Sequence, residues 1–331
     1  MRLRYRLSGI GVPATLCSIF VTVSSLTLAT QPADQPVLQG KPHLFGPGVI
    51  SDQDSEANAS FTPDGNTVYF SKHNPGWSHI TIVESHRLGD GWSEPEVTPF
   101  SGFWKDTDPH VSPDGTKLYF ASTRPTDGSN TPRTDYDLWY VERAADGGWG
   151  EPKHIDGPVN SDASEAYPSV TKDGTLYFES ARSGHGAIYR SQLVNGGYGA
   201  PQLLPFCDKG NDVNPTVASD DSFIIFFSAD RGGLGGADLF VSFHRNDGSW
   251  STPKNLGAPI ISKFFESAPG LSPDNRTLYF ASDRMDGPPT RTHRVNYREL
   301  EGELHAIQNG LSKIYEVDIS DLHRLDDAPR R

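Results

Sequence analysis

From about residue 41 the chain is built of short apolar or alternating runs. Each is closed by Gly, Pro, Asn or Asp, and no long stretch keeps the 3.6-residue period of an amphipathic helix. The runs recur as a unit. A strand–turn–strand word reads "FTPDGNTVYFS" from Phe61, "VSPDGTKLYFAS" from Val111, "VTKDGTLYFES" from Val170, "VASDDSFIIFFS" from Val217 and "LSPDNRTLYFAS" from Leu271. Its turn aspartates, Asp64, Asp114, Asp173, Asp220 and Asp274, lie 47 to 59 residues apart. A third strand follows in every copy: "HITIVES" (79–85), "YDLWYVER" (136–143), "AIYRSQ" (187–192), "ADLFVSF" (237–243) and "KIYEVDI" (313–319). The first four copies then reach an aromatic-Pro segment, "GWSEP", "GWGEP", "GYGAP" and "SWSTP".

Four short antiparallel strands in about 50 residues make one blade of a β-propeller. The expected fold is therefore all-β, with five four-stranded blades; a six-bladed ring needs a sixth copy. Asp-Gly is expected to supply the positive φ angles of a two-residue hairpin turn. "KLYFAS" and "TLYFES" suit strands buried on both faces. The fifth copy ends without its aromatic-Pro strand. Residues 41–51, "KPHLFGPGVIS", match "EPKHIDGPVNS" (151–161), so the N-terminal segment is expected to complete the last blade and remove an open edge.

The first residues are different in kind. Arg2, Arg4 and Arg6 precede an uncharged apolar run that ends in small residues, the pattern of a signal peptide cleaved near Ala29. The organisation expected is a leader (1–29), a linker (30–40), one propeller domain (41–320) and a tail (321–331), with export to the periplasm or beyond. Without the leader the net charge moves from −13 to −16 and one cysteine, Cys207, remains. That acidity repels a phosphate backbone and so argues against a nucleic-acid partner, and the core must be stable without an intramolecular disulfide.

A second periodicity concerns charge. Glu56, Asp106, Glu165, Asp212 and Glu266 open the first strand of each copy, the strand expected beside the axis. Five carboxylates ringing one channel mouth would repel, by about 2 kcal/mol for a pair ~8 Å apart at an effective dielectric of ~20. Arg124, Arg182, Arg231 and Arg284 each close the second strand of their copy and are the expected compensation. The first copy spells Asn74 at that place. One acid is thus expected to lack its partner, leaving room for a cation such as calcium or for a partner's Lys or Arg.

The words "SPDGTKLYFASTR", "ADLF" and "SWSTPKNLG" resemble the WD-like propeller repeat of the TolB type, found in exported bacterial proteins, over residues 41 to about 320. The resemblance implies a protein-interaction module that takes partner peptides at its central channel. It implies a fold far more than an activity. Catalytic signatures are missing from the sequence: the histidines make no HxxxH or HxH pair, there is no G-x-S-x-G elbow, and "RGGLGGADLF" leads into a strand. The enzymatic rival is a five-bladed glycoside hydrolase using channel carboxylates. Its acid and base need unlike surroundings, whereas the five acids sit in near-identical words. A sugar binder stacking on Trp92, Trp149 and Trp250 is the third possibility; packing is expected for these residues. The reading is a monomeric, non-enzymatic, exported binder of a cell-envelope protein or peptide. Residues 285–310 form a 26-residue insertion in the fifth blade, a length that suits recognition.

Overall fold

A computed structural model describes residues 38–207, 210–285, 291 and 293–326. The leader, most of the linker and the end of the tail lie outside these residues. Five antiparallel sheets stand around one axis. The inner strands are Ser55–Phe61, Asp106–Val111, Glu165–Val170, Asp212–Val217 and Glu266–Leu271. Each packs on the next, and the fifth packs on the first. Outward from them come the second strands, such as Lys117–Ser122, and the third strands, such as Asp137–Glu142. The second strands are almost wholly buried, because blades stacked face to face cover both of their sides. Phe70, Phe120, Phe178, Phe226 and Phe280 occupy the same position in the five copies, and each is at most 1% exposed.

Two local expectations need correction. The hairpin turn is not a two-residue turn, since only its last residue has positive φ: Gly65 (69°), Gly115 (72°), Gly174 (86°), Asp221 (62°) and Asn275 (59°). Pro63 explains the choice. Its ring holds φ near −65°, which fits the second position of a type I turn and not a mirror-image turn. Gly65 N–H donates back to Thr62 O (2.8 Å), and the Asp64 carboxylate accepts from Thr62 Oγ1 (2.6 Å) and Asn66 N–H (3.1 Å). The aromatic-Pro segments are likewise not the outer strands themselves. The outer strands follow the proline and are only two residues long, as at Glu96–Val97, Lys153–His154, Gln202–Leu203 and Lys254–Asn255. The aromatic residue before each proline ties its blade to the previous one. Trp149 Nε1 donates to Tyr69 Oη (3.0 Å), Tyr198 meets Tyr119 through their hydroxyls (3.2 Å), and Trp250 packs edge-on to Tyr177. These tryptophans are therefore packing groups; Trp92 lies under Arg87 and Trp149 under Arg143.

The ring closes as the sequence indicates. His43–Leu44 pairs antiparallel with Lys313–Asp318, giving the fifth sheet its outer strand. Phe45 N–H then donates to Ile314 O (2.9 Å), and the Phe45 ring enters the seam between the fifth and first blades. It meets Tyr279 from one side and Phe61 and Trp92 from the other, at centroid distances of 4.9, 5.7 and 5.4 Å. Because this one side chain bridges the closure, Phe45→Ala should destabilise the protein by about 3–5 kcal/mol. Urea unfolding of wild type and variant measures it; a loss comparable to that of an exposed substitution would mean that closure does not depend on the seam.

Candidate functional site in the central channel

The repeated acids come first, because they set where the inner strands begin. All five are buried, none more than 1% exposed. In four blades each is held by the arginine of its own blade: Arg124–Asp106 at 2.8 Å, Arg182–Glu165 at 3.2 Å, Arg231–Asp212 at 2.6 Å and Arg284–Glu266 at 3.2 Å. A serine at the end of the second strand adds a hydrogen bond, Ser122 to Asp106 and Ser180 to Glu165 at 2.6 Å and Ser282 to Glu266 at 3.1 Å. Each guanidinium also donates to a carbonyl of the loop entering the blade, those of Phe100, Val159, Phe206 and Ile260. It lies over the ring of Phe120, Phe178, Phe226 or Phe280. The result is a staple joining entry loop, inner strand and second strand. Burial still pushes Asp106 and Glu266 above the usual carboxylate range, against the pull of their arginines.

The first blade differs, though not as its sequence suggests. Asn74 takes no part in compensation; its side chain donates to Ser78 Oγ (2.9 Å) and accepts from His79 N–H (3.1 Å). Two lysines approach instead. Lys72 sits 3.5 Å from Glu56 while bonding Asp52 at 2.6 Å, and the buried Lys313 arrives from the fifth blade to donate to Asp54 O. Neither Glu56 oxygen receives a hydrogen bond. Burial, reinforced by the Asp52 carboxylate, pushes the Glu56 carboxyl up to about 9, so it is neutral at pH 7 despite both ammoniums.

All five acids are buried, and none lines the channel pocket, which lies nearer the hairpin turns. The lining begins two or three residues later, at Asn58, Asp108, Tyr167, Pro215 and Pro269; the residues two after the acids are Asn58, Asp108, Tyr167, Asn214 and Ala268. Every inner strand bulges there, and all five residues adopt left-handed backbone, with φ between 48° and 64°. A bulge of this kind re-aims side chains, here toward the axis. Tyr167 reaches across to pack on Ala57, Ala268 and Ala281 of the opposite blades. The pocket of about 220 Å³ continues from this level to the hairpin turns, where Pro63, Pro113, Pro273 and Lys172 surround it.

Its polar lining sets acceptors at the bulge level against the Lys172 side chain at the turns. Asp108 is the one carboxyl among the lining residues. It accepts from Thr107 Oγ1 (2.8 Å) and Tyr167 N–H (3.2 Å), and burial raises it to about 7, helped by the nearby Glu179. Asn58 Oδ1 is buried with no hydrogen-bond partner. His110 Nε2 accepts from Val170 N–H (2.9 Å), so its ring is neutral, and burial lowers it to about 4. Among the described residues, no three His, Cys, Asp or Glu side chains converge as a metal site would require. Cys207 is buried and its thiol pushed up, which removes nucleophilic character. The sequence does hold a signal for the channel residues. At a place where the repeat is otherwise strict, five copies spell Asn, Asp, Tyr, Asn and Ala, four of them followed by proline.

Two outcomes follow. Asp212→Asn strands the Arg231 guanidinium and should cost about 3–5 kcal/mol, whereas Glu56→Gln replaces an already neutral group and should cost under about 1 kcal/mol at pH 7. Urea unfolding of the two variants checks the contrast; equal losses would mean that Glu56 is an ordinary ion pair. For Asp108 the folded-state pKa lies above the unfolded 3.8, so its contribution is complete below pH 3.8 and is lost as the pH rises through about 7. Asp108→Asn should therefore gain stability relative to wild type between pH 5 and pH 8, as melting temperatures across that range would show.

No protein-family model and no curated protein matches the chain. Solved structures do match in fold. TolB from Acinetobacter baumannii aligns at 16% identity and a TM-score of 0.46, over 81% of this chain and 55% of that one, so the chain spans just over half of its length. An α-L-arabinofuranosidase from Lactobacillus brevis aligns at 13% identity and a TM-score of 0.50, over 82% and 91% of the two chains. The catalytic domain of an α-L-arabinofuranosidase from Coprinopsis cinerea aligns at 11% and 0.49, over 85% and 98%. At such identities the likeness is one of fold, and the chemistry of the channel stands on its own residues.

Proposed function

We propose that this chain is an exported, non-enzymatic binding propeller whose channel pocket receives the tip of a partner peptide or protein. The supporting observation is the acceptor-rich polar level of the pocket. Asp108 and Asn58 line a space of about 220 Å³ bounded by the five inner strands, and the buried Asn58 Oδ1 has no hydrogen-bond partner. Groups of this kind call for N–H donors. A Lys or Arg side chain entering from the turn side supplies donors and a positive charge, which the net charge of −13 favours at long range. Partner recognition thus moves from the five repeated acids to the single carboxyl that the repeat does not repeat.

A glycoside hydrolase is the weaker alternative for a specific reason. Hydrolysis needs two carboxyl groups facing the sugar, and Asp108 has no second one beside it among the lining residues. No described helix is long and apolar enough to cross a membrane.

The test is selection of short peptides from a display library on the exported protein, followed by calorimetry of the selected peptides. Peptides carrying Lys or Arg are expected. Their binding should release protons near pH 7, as the cation draws Asp108 into its ionised form, and should weaken by about tenfold or more in Asp108→Asn. Selection without basic residues, or affinity indifferent to that substitution, would remove the proposal. Turnover of aryl-glycosides abolished by Asp108→Asn would replace it with the hydrolase reading.

A further inference from the structure

A second pocket, of about 230 Å³, lies off the axis at the seam of the first and fifth blades. It is at the opposite end from the channel pocket, because its walls come from the starts of inner strands and the ends of second strands: Ser267, His73 and Asp283, with Ser312, Trp77 and Phe265. The two departures from the repeat meet here. Asn74 starts the turn that carries Trp77, and the insertion rejoins the fifth blade through Gly310, Leu311 and Ser312, its Asn309 side chain donating to Gln53 O at 3.2 Å. In the other blades the residue equivalent to Asn74 is an arginine folded inward over its phenylalanine. Here that side chain is missing, and an indole stands outside instead.

Trp77 lies flat on His73, with ring centroids 3.8 Å apart and planes 15° from parallel, and remains 45% exposed. It holds a φ of 52°, a conformation costly for a bulky residue. Phe265 opposite is 44% exposed. His73 is only 9% exposed, and its protons can be assigned from geometry. Nδ1 lies 3.1 Å from Asn74 O, a carbonyl that can only accept, so Nδ1 carries the hydrogen. Nε2 is then a lone pair, buried and without any partner. Burial lowers the pKa of the ring, which keeps it neutral.

We propose that this seam pocket binds one ring of a neutral carbohydrate. A sugar ring presents C–H groups that stack on an exposed indole, and hydroxyl donors for a buried lone pair. The remaining hydroxyls meet Ser267, Ser312 and the Asp283 carboxylate, whose Oδ1 is already engaged by Phe265 N–H at 2.8 Å. The volume is below the ~300 Å³ at which pockets begin to enclose drug-sized molecules, which limits occupancy to about one ring. The site is separate from the channel, so a chain could hold a glycan at one end and a peptide at the other.

Calorimetric titration of the exported protein with gluco-, xylo- and N-acetylglucosamine-based oligosaccharides tests this. At least one series should bind saturably at millimolar or lower concentration. Trp77→Ala should weaken it about tenfold or more. His73→Phe, which keeps a ring for stacking and removes the lone pair, should weaken it several-fold with unchanged melting temperature. Asp108→Asn should leave it unaltered, so that failure of this site and failure of the channel reading are told apart. Absence of saturable binding by every series, or binding that both seam substitutions leave intact, would overturn the proposal.

Discussion

The buried carboxylate–guanidinium staple is the interaction on which the rest of the molecule depends. An inner strand of a propeller has neighbours on every side, so its starting point must be fixed from within. Asp106, Glu165, Asp212 and Glu266 do this by drawing the entry loop, the inner strand and the end of the second strand onto one charge pair. An ion pair this deep is directional, and it is costly to break rather than strongly stabilising to form. Its effect is register. With the strand start fixed, the bulge falls two residues later in every blade and its residue takes left-handed backbone, and in three blades that residue lines the channel pocket. The channel chemistry is therefore a consequence of the staple, although no staple residue touches the channel pocket.

The first blade shows what happens when the staple is rebuilt. Lys72 takes the place held by serine elsewhere, and Lys313 crosses from the fifth blade to the Asp54 carbonyl, so two chain segments that meet only when the ring closes bring positive charge near Glu56. The closing strand, the Phe45 seam and the lysine pair all lie along this one boundary. It is also where the repeat permits novelty: without an inward arginine, the turn bearing Trp77 projects outward and a pocket opens beside it.

The repeat was legible because blade packing imposes the same demands five times. Tyr-Phe in the second strand, Asp-Gly at the turn and an aromatic before proline each answer a local need that sequence displays directly. The five acids and four arginines were equally visible, and their pairing could be anticipated from charge balance. Their direction could not. A side chain at the start of an inner strand faces the axis or the neighbouring loop according to the pleat, and the bulge at residues 58, 108, 167, 214 and 268 changes that parity within the strand. For the same reason the sequence drew attention to the positions that recur and away from Asp108, which does not.

By itself the sequence determined the all-β propeller of five blades and its closure by an N-terminal strand, because strand period, turn residues and copy number are local properties of the chain. The tertiary structure alone decided which polar groups share a space. Asp108 and Asn58 line one pocket, and Glu56 is neutral between two lysines. His73 and Phe265, 192 residues apart, face each other across a seam. Such juxtapositions depend on how blades rotate about the axis and on the desolvation that follows, and neither quantity is written in any one segment.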